Sequence, residues 1–260
     1  MNYWQGILLG LVQGLTEFLP VSSDGHLAVV EAVTGVHTPG VFLEVALHVA
    51  TLGSVLVVYG RRFAELTVGT LRGRPDDRRY AWLLILATIP GVVIGVAAHD
   101  LVGRAFDSLL VAGLGFLFTG TLLWSSRRRG GDVVAPRPGG AVAIGCAQAL
   151  AILPGVSRSG STVSVGLWLG LSPVRAAEFS FLMAIPIIAG AALFESRHGL
   201  EGLAAVGVGP LAVSFAVAFV SGIFAIRLLL LLLRRGRFYA FAPYCWAIGT
   251  ATILYALWRE

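Results

Sequence analysis

Apolar residues run nearly without pause along this chain, so its organisation is carried by the places where polar and helix-breaking residues interrupt them. Residues 3–19 read as an apolar helix that Pro20 ends, and Ser22, Ser23, Asp24, Gly25 and His26 follow at once. The next apolar run, 27–36, is too short to cross a hydrocarbon core that needs roughly 20 helical residues. The pair predicts a re-entrant helical hairpin with the polar motif at its tip. Spans are predicted at 41–59, closed by Arg61 and Arg62, and at 80–98 and 107–124. Beyond Arg127, Arg128, Arg129 and a Gly/Pro-rich linker the pattern recurs: a medium helix at 140–153, a break at Pro154-Gly155, and a short helix at 161–171. Three further spans, 176–194, 209–233 and 238–258, complete the chain.

The two interruptions are related. A shift of 135 residues superposes Gln13 on Gln148, Leu15 on Leu150, Val21 on Val156, Ser22 on Ser157 and Gly25 on Gly160. An internal repeat with polar, Gly/Pro-broken segments at equivalent places points to a site between two halves. The expected architecture is therefore an all-α polytopic membrane protein: one membrane domain, an inverted-topology repeat, two re-entrant hairpins and about six transmembrane helices. The first repeat takes about residues 1–126 and the second about 139–260, joined by a cytoplasmic linker.

Composition agrees with that reading and adds orientation. Hydrophobic residues make up 57% of the 260 and charged residues 13%, with a mean hydropathy of +0.83, which leaves no soluble domain to find. All 19 basic residues are arginine, and in such a chain basic clusters mark cytoplasmic loops rather than nucleic-acid contact. With both hairpins returning to the side they enter, fourteen arginines fall on one side and only Arg104, Arg197 and Arg259 on the other. The basic side should be cytoplasmic, with both termini outside. Cys146 and Cys245 lack metal or disulfide spacing and read as small core residues. The N-terminus carries no basic region or cleavage pattern of a removable signal.

The second break sets Ser157, Arg158, Ser159, Gly160, Ser161 and Thr162 at a helix start. Helix starts bind anions through unpaired N–H groups, and an arginine fork matches phosphate oxygens. An oxyanion, most simply phosphate, is the ligand this composition asks for. The alternative is that the hydroxyls merely cap the helix while Arg158 snorkels to an interface. The first break offers Glu17, Ser22, Ser23 and His26, an acid, hydroxyls and an imidazole able to converge as a nucleophile set. Glu44 and His48, four apart on one helix face, either back up the site or form an intra-helix pair, and Glu178 is a similar case. Asp24 caps its helix or ligates metal. His37, His99, Asp100 and His198 read as loop residues, and Arg227 as a snorkelling or internally paired residue.

The segments QGLTEFLPVSSDGHL and LPGVSRSGSTVSVGLWLGLSPVRAAEFSFLMAIP resemble the two signature regions of the bacterial undecaprenyl-diphosphate phosphatase family of the bacitracin-resistance type. The resemblance covers essentially the full chain. It implies a multi-pass enzyme of the bacterial plasma membrane that removes the terminal phosphate of undecaprenyl diphosphate, with its site open to the periplasmic or extracellular side. It further implies a divalent cation, Mg or Ca, a lipid diphosphate partner, and bacitracin resistance through depletion of the drug's lipid target. A homodimer is compatible with it. By the same resemblance, Glu17, Ser23, His26 and Arg158 are catalytic, Ser22, Ser157, Ser159, Gly160 and Thr162 bind substrate, and Glu17 with Gln13 holds the metal. The expected scheme has Ser23 attacking with His26 as base, or His26 attacking directly. Many members carry Glu where this chain has Gln13, so a two-carboxylate metal site is not available there. A transporter or flippase for an anionic polyprenyl lipid is the alternative from another class, and an intramembrane serine protease is a weaker third.

Overall fold

The computed structural model describes residues 1–34, 42–98, 105, 108–195, 203 and 206–259. Among these the regular structure is helical: α1 (Tyr3–Phe18), α2 (Ser23–Thr34), α3 (Phe42–Leu71), α4 (Pro75–Ala97), α5 (Leu109–Ser125), α6 (Pro138–Leu150), α7 (Arg158–Trp168), α8 (Pro173–Glu195), α9 (Val208–Arg234) and α10 (Ala242–Arg259). Local sequence explains the boundaries. Asn2 and Gln5 close a reciprocal capping box at the start of α1. Proline opens α4, α6 and α8, where its missing N–H costs nothing. Leu19, preceding Pro20, is forced extended and stops α1.

Among the described residues, five helices are long and apolar enough to cross a membrane: Phe42–Leu71, Pro75–Ala97, Pro173–Leu193, Val208–Arg234 and Phe238–Trp258. The chain is thus an all-α polytopic membrane protein, and the sixth expected span corresponds to the shorter apolar α5. Large exposed apolar side chains such as Trp4, Ile85, Val96, Phe224, Leu254 and Trp258 suit a hydrocarbon-facing surface. The α3 helix differs from the expected 41–59 span by running twelve residues past Tyr59. Arginine does not end a helix, and Arg62 is instead held by Glu178 of α8 at 3.0 Å. The α2 helix begins at Ser23, so the first polar motif lies in a helical first turn rather than ahead of it. Cys245 is buried, while Cys146 is exposed, against the expectation of two core thiols. His37, His99, Asp100 and His198 lie outside the described residues.

Helices meet through small residues, as expected where hydrocarbon supplies no driving force for association. On α1, Gly6, Gly10 and Gly14 lie against Pro210, Ser214 and Ala218 of α9, and a Cβ on Gly6 would stand 2.8 Å from the Pro210 carbonyl oxygen. Packing crosses between the halves in matched pairs: α1 lies on α9 and α4 on α6, while α5 lies on α10 and α3 on α8. The aromatic cluster of Phe18, Tyr59 and Phe181 fills the core beneath the end of α1, with Phe18 and Phe181 edge to face at 5.4 Å.

Candidate active site

Two short helices, α2 and α7, each follow a broken segment, and the two breaks touch. Gly25 of α2 lies against Gly155 of the second break, and a Cβ there would stand 2.6 Å from Phe116 Cζ and 2.8 Å from Gly155 Cα. Gly155 itself has φ +84°, and Ser22, at the first tip, is left-handed at φ 66° without being glycine. Thr119 of α5 bolts the second tip in place: its hydroxyl donates to the Gly155 carbonyl at 2.8 Å and accepts from the Ser157 N–H at 3.0 Å. Ser159 Oγ donates to the Leu19 carbonyl at 3.2 Å, joining the second break to the end of α1.

Glu17 is the centre of the arrangement. Its Oε1 pairs with the Arg158 guanidinium. Its Oε2 accepts from Ser23 Oγ at 2.6 Å and from the Gln13 amide at 3.0 Å, and lies 3.3 Å from His48 Nε2. The carboxylate is buried and paired, the condition under which such a charge is tolerated away from water. His48 Nδ1 lies 2.8 Å from the Glu44 carbonyl oxygen and must donate to it, which leaves Nε2 facing Glu17 and, at 3.7 Å, Asp24. Glu17, Ser22, Ser23, Asp24, Glu44, His48, Ser157 and Arg158 all line one cavity of about 340 Å³. The rest of its wall is mostly apolar, including Val45, Ile152, Ile187, Ile188 and Ala191.

The structure thus brings Glu17, Ser22, Ser23, Ser157 and Arg158 together as expected from sequence, and does not bring His26 with them. His26 Nδ1 donates to the Ser22 carbonyl at 2.7 Å, so Nε2 accepts from the Tyr244 hydroxyl at 2.6 Å. The ring also stacks on Tyr244 and meets Phe116 edge to face, and it is not part of the cavity wall. The imidazole against Glu17 is His48, held there by α3. Ser159, Gly160 and Thr162 lie outside the cavity wall. Gly160 N–H donates to Ser157 Oγ at 3.0 Å, and Thr162 Oγ1 bonds the Arg158 carbonyl and Ser180 Oγ. These three hold the tip, and none lines the cavity. Glu178 belongs to a separate network with Arg62, Arg175 and, at 3.5 Å, Tyr80. Arg227 is exposed on α9.

The residues expected to hold a divalent cation do not build a site for one. Gln13 turns its N–H₂, a donor, toward Glu17 and leaves only its Oε1 buried without a partner among the described residues, while both Glu17 oxygens are taken by donors or a cation. Among the described residues no group of three or more His, Cys, Asp or Glu is arranged to ligate a metal.

A helical membrane protein with a hydroxyl, a carboxylate and a guanidinium converging in one cavity between two broken helices falls in the class of multi-pass membrane proteins with an enzyme-like polar site. Residues 6–251 match the model of the bacitracin resistance protein BacA family, and the chain belongs to that family. It is 40% identical to the undecaprenyl-diphosphatase of Desulfosudis oleivorans over 96% of this chain and 97% of the relative. It is also 40% identical to that of Alkaliphilus metalliredigens, over 99% and 100% of the two chains. The undecaprenyl-diphosphatase of Syntrophotalea carbinolica is 43% identical over 96% and 97%.

Proposed function

We propose that the protein is an integral membrane phosphatase that hydrolyses undecaprenyl diphosphate to undecaprenyl phosphate and inorganic phosphate, returning the carrier to cell-wall synthesis and conferring bacitracin resistance. The observation that carries the site assignment is Glu17 holding Ser23 on one oxygen and Arg158 on the other. The full-length likeness to undecaprenyl-diphosphatases supports the substrate. A flippase has no need of a hydroxyl bonded to a buried carboxylate, and the likeness does not favour it.

The diphosphate headgroup lies between the tips with its prenyl chain along the apolar wall. Arg158, Ser157 and Ser22 hold its oxygens. Ser23 Oγ attacks the terminal phosphorus as its proton passes to Glu17 Oε2, to which it is already bonded. The bond to the bridging oxygen breaks and undecaprenyl phosphate leaves. Water then attacks the phosphoserine, the proton that Glu17 took from Ser23 returns to the serine oxygen as its bond to phosphorus breaks, and the water's protons leave on the inorganic phosphate. His48 Nε2, 3.3 Å from the same Glu17 oxygen, positions the carboxylate. His26 positions the tip by holding the Ser22 carbonyl. A divalent cation, Mg or Ca, enters this reading as a companion of the substrate's phosphates, since magnesium sites commonly use substrate oxygens and few protein ligands. No step is assigned to it.

The lengths of α2 and α7, 12 and 11 residues, support two re-entrant hairpins, because at about 1.5 Å per residue neither reaches across a core of roughly 30 Å. The matched packing of α1 on α9 and α4 on α6 supports an inverted repeat. The arginine bias supports a cytoplasmic linker in the bacterial plasma membrane and a site open to the other face. A homodimer is part of the same proposal, to be read from cross-linking in native membrane.

Purified protein should release phosphate from farnesyl diphosphate, and Arg158→Ala should lower kcat by about 10²–10³, the usual loss on removing a donor to developing oxyanion charge. Undiminished release by that variant would remove Arg158 from the chemistry. An acid-stable phosphoenzyme is expected with Ser23 as nucleophile, and an acid-labile one would refute that assignment.

A further inference from the structure

Gln148 is 4% exposed and lines the cavity, yet both its amide atoms, Oε1 and Nε2, are buried with no hydrogen-bond partner among the described residues. A buried primary amide left unsatisfied destabilises the fold, so it calls for a partner the protein itself does not supply. Its surroundings locate that partner. Gln148 sits near the end of α6, one turn before Ile152, and packs beside Gly91 of α4, whose Cβ position would be 3.5 Å from Gln148 Nε2 and 3.1 Å from Ile187 Cδ1. Ile152, Ile187, Ile188 and Ala191 are the apolar wall of the same cavity, while Ser23 and Arg158 stand at its polar end.

We propose that Gln148 is a substrate-binding residue for the lipid-side phosphate, the one that stays on the prenyl chain. The inference rests on the phosphatase reading and deepens it. The terminal phosphorus must face Ser23 and the prenyl chain must lie on the isoleucine wall. The linking phosphate therefore falls where polar headgroup gives way to hydrocarbon, beside the Gln148 amide. Nε2 donates to a non-bridging oxygen of that phosphate, and Oε1 accepts from a phosphate hydroxyl or a water that enters with the headgroup. A neutral amide suits this position, because the lipid-side phosphate is also the product's only phosphate and must be let go. Gln148 is the counterpart of Gln13 under the 135-residue shift. Gln13 donates to the Glu17 carboxylate through Nε2, whereas Gln148 lines the cavity with neither amide atom paired.

The test compares Gln148→Leu with wild type in detergent, using three readouts: inhibition by farnesyl monophosphate, inhibition by inorganic phosphate, and melting temperature. Loss of one hydrogen bond to a charged group should weaken farnesyl monophosphate inhibition about tenfold or more. Inorganic phosphate, which needs only the Ser23–Arg158 end, should inhibit both proteins alike. Melting should be unchanged or higher, since an orphaned amide is replaced by an apolar side chain of similar size. Equal monophosphate inhibition in the two proteins would overturn the proposal, as would equal weakening by both ligands. A melting temperature several degrees lower would also overturn it, by making the amide a part of the fold. Binding of farnesyl monophosphate followed by thermal shift separates the two readings: wild type that binds it but releases no phosphate would fail the phosphatase assignment while leaving Gln148 testable.

Discussion

Thr119→Val removes the bolt that holds the second tip while preserving shape. The residue is 0% exposed, and its hydroxyl serves two backbone groups at once, the Gly155 carbonyl and the Ser157 N–H. Valine leaves both orphaned in the core, and each such group costs about 1–3 kcal/mol. Allowing for partial relaxation, the expected loss is about 2–4 kcal/mol. At roughly 2–4 °C per kcal/mol for a chain of this size, melting should fall by roughly 5–15 °C. Function should suffer separately, because Ser157 and Arg158 follow directly and a displacement near 1 Å can cost about 10²-fold in rate. The assay pairs thermal unfolding in detergent with phosphate release from farnesyl diphosphate. Thr119→Ser, which keeps the hydroxyl, should recover most of both. Thr67→Val, on an exposed face where the hydroxyl only bonds its own helix, should lie within about 0.5 kcal/mol of wild type. If Thr119→Val melts with Thr67→Val and keeps its kcat, the bolt contributes neither stability nor alignment, and the reasoning fails.

The two histidines should separate by partner. His26→Ala should lower kcat by releasing Ser22, a loss that Tyr244→Phe partly reproduces, whereas His48→Ala should lower kcat through Glu17 and add little further loss in a Glu17→Gln background. Additive losses for His48→Ala and Glu17→Gln would remove His48 from that role. Gly25→Ala should cut activity sharply, because its methyl would meet Phe116 and Gly155 and part the two tips; full activity would show that the tips tolerate separation. Asp24→Asn should shift the divalent-cation dependence of phosphate release if Asp24 helps hold a cation against the diphosphate, and an unchanged profile removes it from that role.

What could be read in the chain and what could not divides along a physical line. Breaks at Pro20 and Pro154-Gly155, the short helices after them and the pairing of a carboxylate and hydroxyl tip with an arginine tip are local signals, so sequence carries them. Spacing alone sets His26 beside Ser23. In a helical first turn, however, residues three apart need not share a target, and here the ring swings to the Ser22 carbonyl and Tyr244. His48, Thr119 and Gln148 arrive from α3, α5 and α6, and only tertiary packing brings them in. Gln148 carries one signal, its match to Gln13 under the repeat shift, but nothing in the pattern tells that one amide donates to Glu17 while the other has neither atom paired. The overrun of α3 past Arg61 and Arg62 has a similar cause, since the ion pair that accommodates Arg62 is 116 residues away in sequence.

The division of chemistry between the tips follows from the cost of burying charge. A lone carboxylate at the end of α1 or a lone guanidinium at the start of α7 would each carry a desolvation penalty of several kcal/mol. Together they neutralise each other, and the pair also fastens two elements 141 residues apart in sequence. Two acidic or two basic tips would repel where the repeat brings them together, so the duplicated break is stable only with opposite charges in its two copies. An entering diphosphate offers Arg158 a better-matched partner than one carboxylate oxygen. As the guanidinium turns to phosphate, Glu17 keeps Ser23 on its other oxygen. In the proposed reading, the Glu17–Arg158 contact is thus the one that substrate exchanges for binding, and it frees the carboxylate that Ser23 needs as base.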